Sequence, residues 1–392
     1  MSITNGLALP ALECGLAEAA EGGAVDWMAA AERVAAEAEI EAAAHDETDR
    51  FVAEGYSRLK AAGLFKALVP VELGGGGADY RDIAGCIRRI GVACGSTALA
   101  FSMHCHLVAV AAWRWRHQGA PTDGLLKRVA NEDLVLVSSG GSDWLPSGGT
   151  AVKVGGGYRI TARKPFSSGS PFGDLLVTSA VDETAEDGPT VLHFAVPIEA
   201  PGVRRIDTWR TLGMRGTGSH DILLEGVFVP DAAISGRRPQ GKWHPLFHAI
   251  AMLAFPLIYS TYVGVAEGAR RQAIAAARGR TGDPHLPYLV GEMENAFALA
   301  EMALDRMIAD AATAVPGPET TSRAMIGRTL VAQGAIAAVE KAMEVAGGPG
   351  FYRAFGLERA WRDVQGARYH PLQEKPQAAL SGRVALGWDI DG

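Results

Sequence analysis

Twice along this chain the residue texture switches abruptly, and the two switches dictate a helix–strand–helix succession. Residues 1–132 are rich in Ala, Glu and Leu, the strongest helix formers. In VDWMAAAERVAAEAEIEAAAHDETDRFVAEGYSRLKAAGL the apolar positions recur at three and four residues, and Gly63 is placed to end a helix. After the Pro/Gly break LVPVELGGGGADY, the run RDIAGCIRRIGVACGSTALAFSMHCHLVAVAAWRWRHQ reads as two helices meeting near Gly95-Ser96-Thr97. Residues 133–237 instead carry short runs rich in Val, Ile, Leu, Thr and aromatics, such as DLLVTSAVD, TVLHFAVPI and HDILLEGVFVP. Gly, Pro, Ser or Asp separate them, as in antiparallel strands with tight connections. Residues 238–392 return to helical texture, with Ala-rich amphipathic segments at 246–280, 286–314 and 320–346. The fold class is α+β, since the strands are grouped rather than alternating with helices.

Charge and cysteine usage exclude several functions. The net charge is −7, and Lys and Arg are scattered, so no basic stripe offers itself to nucleic acid. The start MSITNGLALPALECGLAEAA has no Lys or Arg ahead of its apolar residues and makes a poor signal peptide. No uninterrupted apolar run approaches the roughly 18 residues of a membrane span. Cys14, Cys86, Cys94 and Cys105 form no CxxC pair, which fits free thiols in a reducing cytoplasm and points to no disulfide framework or metal site. The glycines at 74–77 and 155–157 lack the strand–turn–helix setting of a dinucleotide loop and read as turns. GMRGTGS at 213–219 has the spacing of a Gly-rich loop but no helix after it.

Five motifs in order carry a family resemblance. They are LVPVELGGGGADYRDIAGCIRRIGVACGSTALAF, SSGGSDW, YRITARKPFSSGSPFGD, LGMRGTGSHDILLEGVFVPDAAI and VAGGPGF. In this succession the chain resembles the acyl-CoA dehydrogenase superfamily over almost its whole length. The resemblance implies an N-terminal helical domain, a central β-barrel and a C-terminal four-helix bundle, assembled as a homotetramer or at least a homodimer. It also implies a flavin: FAD, with FMN as the alternative. Ser138, Ser142, Phe166 and Ser168 would then lie around the ring. Arg280 would meet the pyrophosphate. Gly347, Gly348 and Gly350 would allow close backbone approach to a neighbouring subunit's cofactor.

The chain departs from that family where the chemistry is decided. The family's proton-abstracting Glu stands in one of two places. In the loop before the last helix, RDVQGARYHPLQEK puts His370 in that register. In the first C-terminal helix, counting back from Gly264 reaches Ala254. Both carboxylates are missing. One branch of the superfamily, the two-component flavin-dependent monooxygenases, uses a His in this loop with a Ser on a Phe-x-Ser-Gly strand. PFSSGS at 165–170 is similar to that strand. Such enzymes take reduced flavin from a separate reductase, form a C4a-hydroperoxide and hydroxylate a small aromatic or heteroatom substrate. The expected catalytic residues are therefore His370 and Ser168, with His104 as a second imidazole and His106 as a core histidine. Two alternatives stay open: an acyl-thioester dehydrogenase with His370 as its base, and a catalytically silent flavoprotein.

Overall fold

A computed structural model describes residues 25–392, so the expectations for the N-terminal leader and Cys14 lie outside the described residues. Five helices come first: α1 (Trp27–Thr48), α2 (Ala53–Ala61), α3 (Tyr80–Ala93), α4 (Gly95–Gln118) and α5 (Asp123–Glu132). The Asp26 carboxylate accepts from the Ala29 N–H and starts α1. Gly63, at φ 70°, turns the chain left-handed just past α2. Cys94, extended at φ −147°, breaks α3 from α4 at the expected place.

Eight strands follow: β1 (Leu136–Ser138), β2 (Thr150–Val154), β3 (Gly157–Ser167), β4 (Leu175–Asp182), β5 (Thr190–Pro197), β6 (Val203–Ile206), β7 (His220–Pro230) and β8 (Gly236–Pro239). They form one sheet in the order β6-β7-β3-β2-β4-β5-β8, with β1 beside β4. The central unit is thus an eight-stranded sheet whose pairing path runs from β6 to β8. Most pairs are antiparallel, but β1 and β2 each meet β4 in parallel, because residues 139–149 loop out between them instead of forming a hairpin. Alternate side chains such as Ile160, Leu176, Leu192, Phe194 and Ile222 fill one buried face. The β3–β7 ladder slips between Lys164 and Ser167, where Phe166 takes φ 59°. That bulge re-aims the strand end toward the helices.

The C-terminal unit holds α6 (Pro245–Ala277), α7 (Leu286–Thr313), α8 (Pro318–Ala346), α9 (Leu357–Val364) and α10 (Glu374–Leu386). α6 is the hub and packs against α3, α4, α7, α8 and α9. By length and composition α4 and α6 are apolar enough to cross a membrane, although neither is an uninterrupted apolar run. Single polar residues such as Ser102 and Ser260 interrupt them without lowering the average. Their apolar windows are 94% buried within the fold, as befits core helices.

Candidate functional site

A cavity of about 600 Å³ lies where the three units meet, between α4, the loop after β1, the β3 bulge, the 209–214 segment, α6 and the 365–371 loop. Its wall is built on rigid supports. Asp363, 5% exposed, accepts from the Met214 N–H at 2.5 Å and fixes the 209–214 segment to α9. The buried Lys164 ammonium donates to Asp143 at 2.8 Å and to the Gly148 carbonyl at 2.7 Å, holding the loop after β1.

On the sheet side, four oxygens form a hydrogen-bonded chain. The Met214 carbonyl can only accept, so the Thr217 hydroxyl donates to it at 2.9 Å. With its proton used, Thr217 accepts from Ser219 at 2.7 Å, and Ser219 in turn accepts from Ser168 at 2.7 Å. The Ser168 oxygen is left with acceptor lone pairs at the cavity wall. Phe166 stands beside it, edge-on to Trp209 with ring centroids 6.0 Å apart.

On the helical side, the Tyr262 hydroxyl of α6 and His370 Nε2 share a hydrogen bond at 2.6 Å. The loop that carries His370 is clamped from below. Arg328 of α8, 1% exposed, donates Nη2 to the carbonyls of Ala367, Arg368 and His370 at 3.1, 3.1 and 3.0 Å. Tyr259 adds a bond to the Ala367 carbonyl at 2.7 Å. Desolvation, with help from the Arg328 charge and from His106, lowers the His370 pKa to about 3, so the imidazole is neutral at physiological pH. His370 Nδ1 has no hydrogen-bond partner among the described residues.

Ser138, Phe166, Ser168 and His370 all border the cavity, as the sequence suggests. Other expected residues do not. His104 is a correction: it is 1% exposed, accepts from the Leu136 N–H through Nδ1 at 2.9 Å and donates Nε2–H to the Phe65 carbonyl at 2.7 Å. With both nitrogens consumed it ties α4 to β1 and stands outside the wall. His106, expected in the core, is the histidine of α4 that borders the cavity. Ser142 is exposed and outside the wall. Arg280 donates to the Val345 carbonyl at 2.6 Å and to Asp283 at 2.8 Å, stapling the end of α6 to the end of α8. Gly347, Gly348 and Gly350 form the turn after α8, away from the cavity. Tyr262, Ser219, Trp209 and the Arg328 clamp carry no local sequence signal; only the lone Arg within the apolar α8 run hints at a buried role.

No Asp or Glu borders the cavity among the described residues, and both positions where the family carries its glutamate, Ala254 and His370, do border it. The matching family models are the acyl-CoA dehydrogenase N-terminal domain over residues 27–117 and the acyl-CoA dehydrogenase C-terminal domain over residues 257–374. The chain belongs to the acyl-CoA dehydrogenase superfamily. Among its relatives is a putative acyl-CoA dehydrogenase, YdbM of Bacillus subtilis, 27% identical with 88% of this chain and 92% of the relative covered. Another is the amino sugar nitrososynthase DnmZ of Streptomyces peucetius, 27% identical with 85% and 86% covered. A solved structure of KijD3 in complex with FMN and dTDP-3-amino-2,3,6-trideoxy-4-keto-3-methyl-D-glucose superposes with a TM-score of 0.85 at 26% identity, covering 93% of this chain and 94% of that one. Flavin-dependent monooxygenases are also among the relatives. The chain is a flavin-dependent oxidoreductase. The cavity fits a flavin: apolar Phe166, Trp209 and Met214 offer a face to a ring, and the Ser168 acceptor awaits an N–H.

Proposed function

We propose that this protein is the oxygenase component of a two-component flavin-dependent monooxygenase, acting on a small aromatic or heteroatom-bearing substrate. The carboxylate-free cavity wall, with a neutral imidazole at the family's catalytic register, carries this reading. A bound reduced flavin would supply the oxygen-activating chemistry. This chain's own residues supply the setting. The Ser168 oxygen accepts a hydrogen bond from the ring. Apolar side chains of α4 and α6 exclude water. His370, oriented by Tyr262 and the Arg328 clamp, offers its free ring nitrogen Nδ1 to the oxygen or to the substrate. The same chemistry weighs against the dehydrogenase alternative, because a base with a pKa of about 3 is poorly matched to taking an α-proton at neutral pH.

FMN is the flavin better supported. Arg280, on which FAD recognition rested, already serves Val345 and Asp283, and a similar structure carries FMN. We also propose a homodimer or homotetramer, since Tyr288 and Met302 on α7 and Phe351 and Tyr352 after α8 are 65–87% exposed. The buried free thiols of Cys86, Cys94 and Cys105 suit a reducing cytoplasm.

The test is to load the protein with FMN, mix it anaerobically with a panel of acyl-CoA thioesters, and separately supply a flavin reductase, oxygen and candidate phenols. The expected outcome is no anaerobic bleaching by any thioester and incorporation of labelled oxygen into a phenol. Bleaching by a thioester, abolished in His370→Ala, would make His370 an α-proton base and overturn the proposal.

A further inference from the structure

Two side chains that border the cavity carry a permanent charge, Arg114 and Arg362. Arg362 is neutralised within the fold by Asp46 and Glu358, with nitrogen–oxygen distances of 2.5 and 2.7 Å. Among the described residues Arg114 has no such counter-ion, and its one side-chain hydrogen bond runs from Nε to the neutral Gln118 amide oxygen at 3.3 Å. Burial depresses its pKa below the ordinary arginine value, the sign of a cation held away from water without compensation. The nearest elements add positive charge. Arg238 lies across the sheet end, and Arg114 helps to depress the proton affinity of both His193 and His244. The neighbouring carboxylate, Asp143, is already held by Lys164.

The position of Arg114 along α4 gives the cavity a length and a polarity. Leu99, Met103, His106, Val110 and Arg114 border it at helical spacing, so one face of α4 lines it end to end. His106 is close enough to His370 to lower its proton affinity. Arg114 lies eight residues further along the same face, roughly 12 Å along the helix axis. The wall also carries Phe247 and Ile250 of α6 and Trp144, whose Nε1 is buried without a partner among the described residues, alongside polar side chains such as Thr178 and Ser179.

We propose that the substrate is an oxyanion-bearing small molecule, a carboxylate in the simplest case. Its charged end sits on Arg114, and its apolar or aromatic body reaches back toward His370. Arg114 is then the residue that selects the substrate class. The proposal rests on the monooxygenase reading only for what happens at the His370 end; the anion site itself is tested by binding.

The test is calorimetric titration of the FMN-loaded protein with 5-phenylpentanoate and with 5-phenylpentanamide. These share a body, and differ in one charge. A charge-assisted bond to a partly desolvated guanidinium predicts a preference for the carboxylate of about ten- to a hundredfold. Arg114→Gln should erase that preference and Arg114→Lys should retain part of it, while FMN affinity stays within about twofold in both and reports that they fold. Equal binding of the two ligands, no binding of the carboxylate, or a preference that survives in Arg114→Gln would overturn the proposal. So would a loss of FMN affinity in Arg114→Gln, which would give the arginine to the cofactor phosphate. Failure of the oxygen-incorporation experiment leaves this binding result standing, so the two readings fail separately.

Discussion

Replacing Ser168 by Ala should weaken the reduced flavin more than the oxidised one. The preference follows if the hydroxyl chain runs from Ser168 through Ser219 and Thr217 to the Met214 carbonyl. Because Ser168 gives its proton to Ser219, it faces the cavity as an acceptor. Reduced flavin carries an N–H at N5, whereas oxidised flavin has a bare nitrogen there. The reduced ring gains a hydrogen bond, and the oxidised ring could gain one only if Ser168 broke its bond to Ser219. One such bond is worth about 0.5–1.5 kcal/mol net. The ratio of the two dissociation constants should therefore shift by roughly two- to twelvefold in the variant. For a two-electron couple the midpoint potential of the bound flavin should fall by about 10–30 mV, since the reduced state is the one that loses a partner. Fluorescence titration of FMN and of anaerobically reduced FMN, with a dye-coupled potential measurement, reads both quantities. Ser219→Ala offers the complementary perturbation. It frees the Ser168 proton to donate, so the selectivity for reduced flavin should shrink while Ser168 remains. Equal weakening of both redox states in Ser168→Ala would show that the hydroxyl does not face N5 as an acceptor.

Three further outcomes are expected. His370→Ala should keep FMN bound, with oxygenated product falling on the order of 10²–10⁴-fold and hydrogen peroxide rising in its place, as product and peroxide assays would show. His104 and His106 are held near a pKa of about 4 by burial, so below pH 6.5 the folded chain binds fewer protons than the unfolded one, and stability must fall as the pH drops. Between pH 7 and pH 5 each imidazole contributes a loss of about 2 kcal/mol, and a melting temperature independent of pH over that range would contradict the assignment. Arg280→Ala should leave the FMN dissociation constant within about twofold while lowering the melting temperature, because it cuts the α6–α8 staple; a tenfold weakening of flavin would restore the cofactor role.

What the sequence conveys and what it conceals divide along a physical line. The helix starts and stops, the break at Cys94 and the three long C-terminal helices are legible because periodicity and caps are local properties. That Ser168 and His370 would border one cavity is legible because a family register exists to count along. His104 misleads because its register on α4 says nothing about which of two histidines turns toward the cavity. His104 and His106 are two residues apart, about 200° around a helix, so one of them faces away whichever way α4 rolls. Arg280 misleads for a related reason: its position after α6 is right, but its partners come from residues 283 and 345, and only the packed structure shows them occupied. Tyr262 could not be found at all, because its partner lies 108 residues away.

On the proposed monooxygenase reading, few changes in the cavity wall would exchange one flavin chemistry for another. Ala254 and His370 come from different elements, yet both border the same cavity, so each of the family's two glutamate positions looks onto the same ring site. Either carboxylate would place a base, and a negative charge, beside the flavin. Here α6 fills the first position with a methyl group that is 2% exposed. The second holds an imidazole that desolvation keeps neutral. What remains among the described residues is a wall with hydrogen-bond donors and acceptors, no carboxylate, and a positive charge at Arg114 without a counter-ion. Such a wall cannot readily take an α-proton. On the proposed reading it would hold a reduced ring at Ser168, keep water from a reactive oxygen species, and draw in an anion from the far end of α4. His370→Glu would reintroduce the missing charge about where the family carries it, against Tyr262. If the carboxylate-free wall is what separates the two chemistries, that variant should lose oxygen transfer and, if its pocket admits a thioester, begin to bleach anaerobically. Unchanged oxygen transfer in His370→Glu would show that the charge of the wall is not the deciding variable.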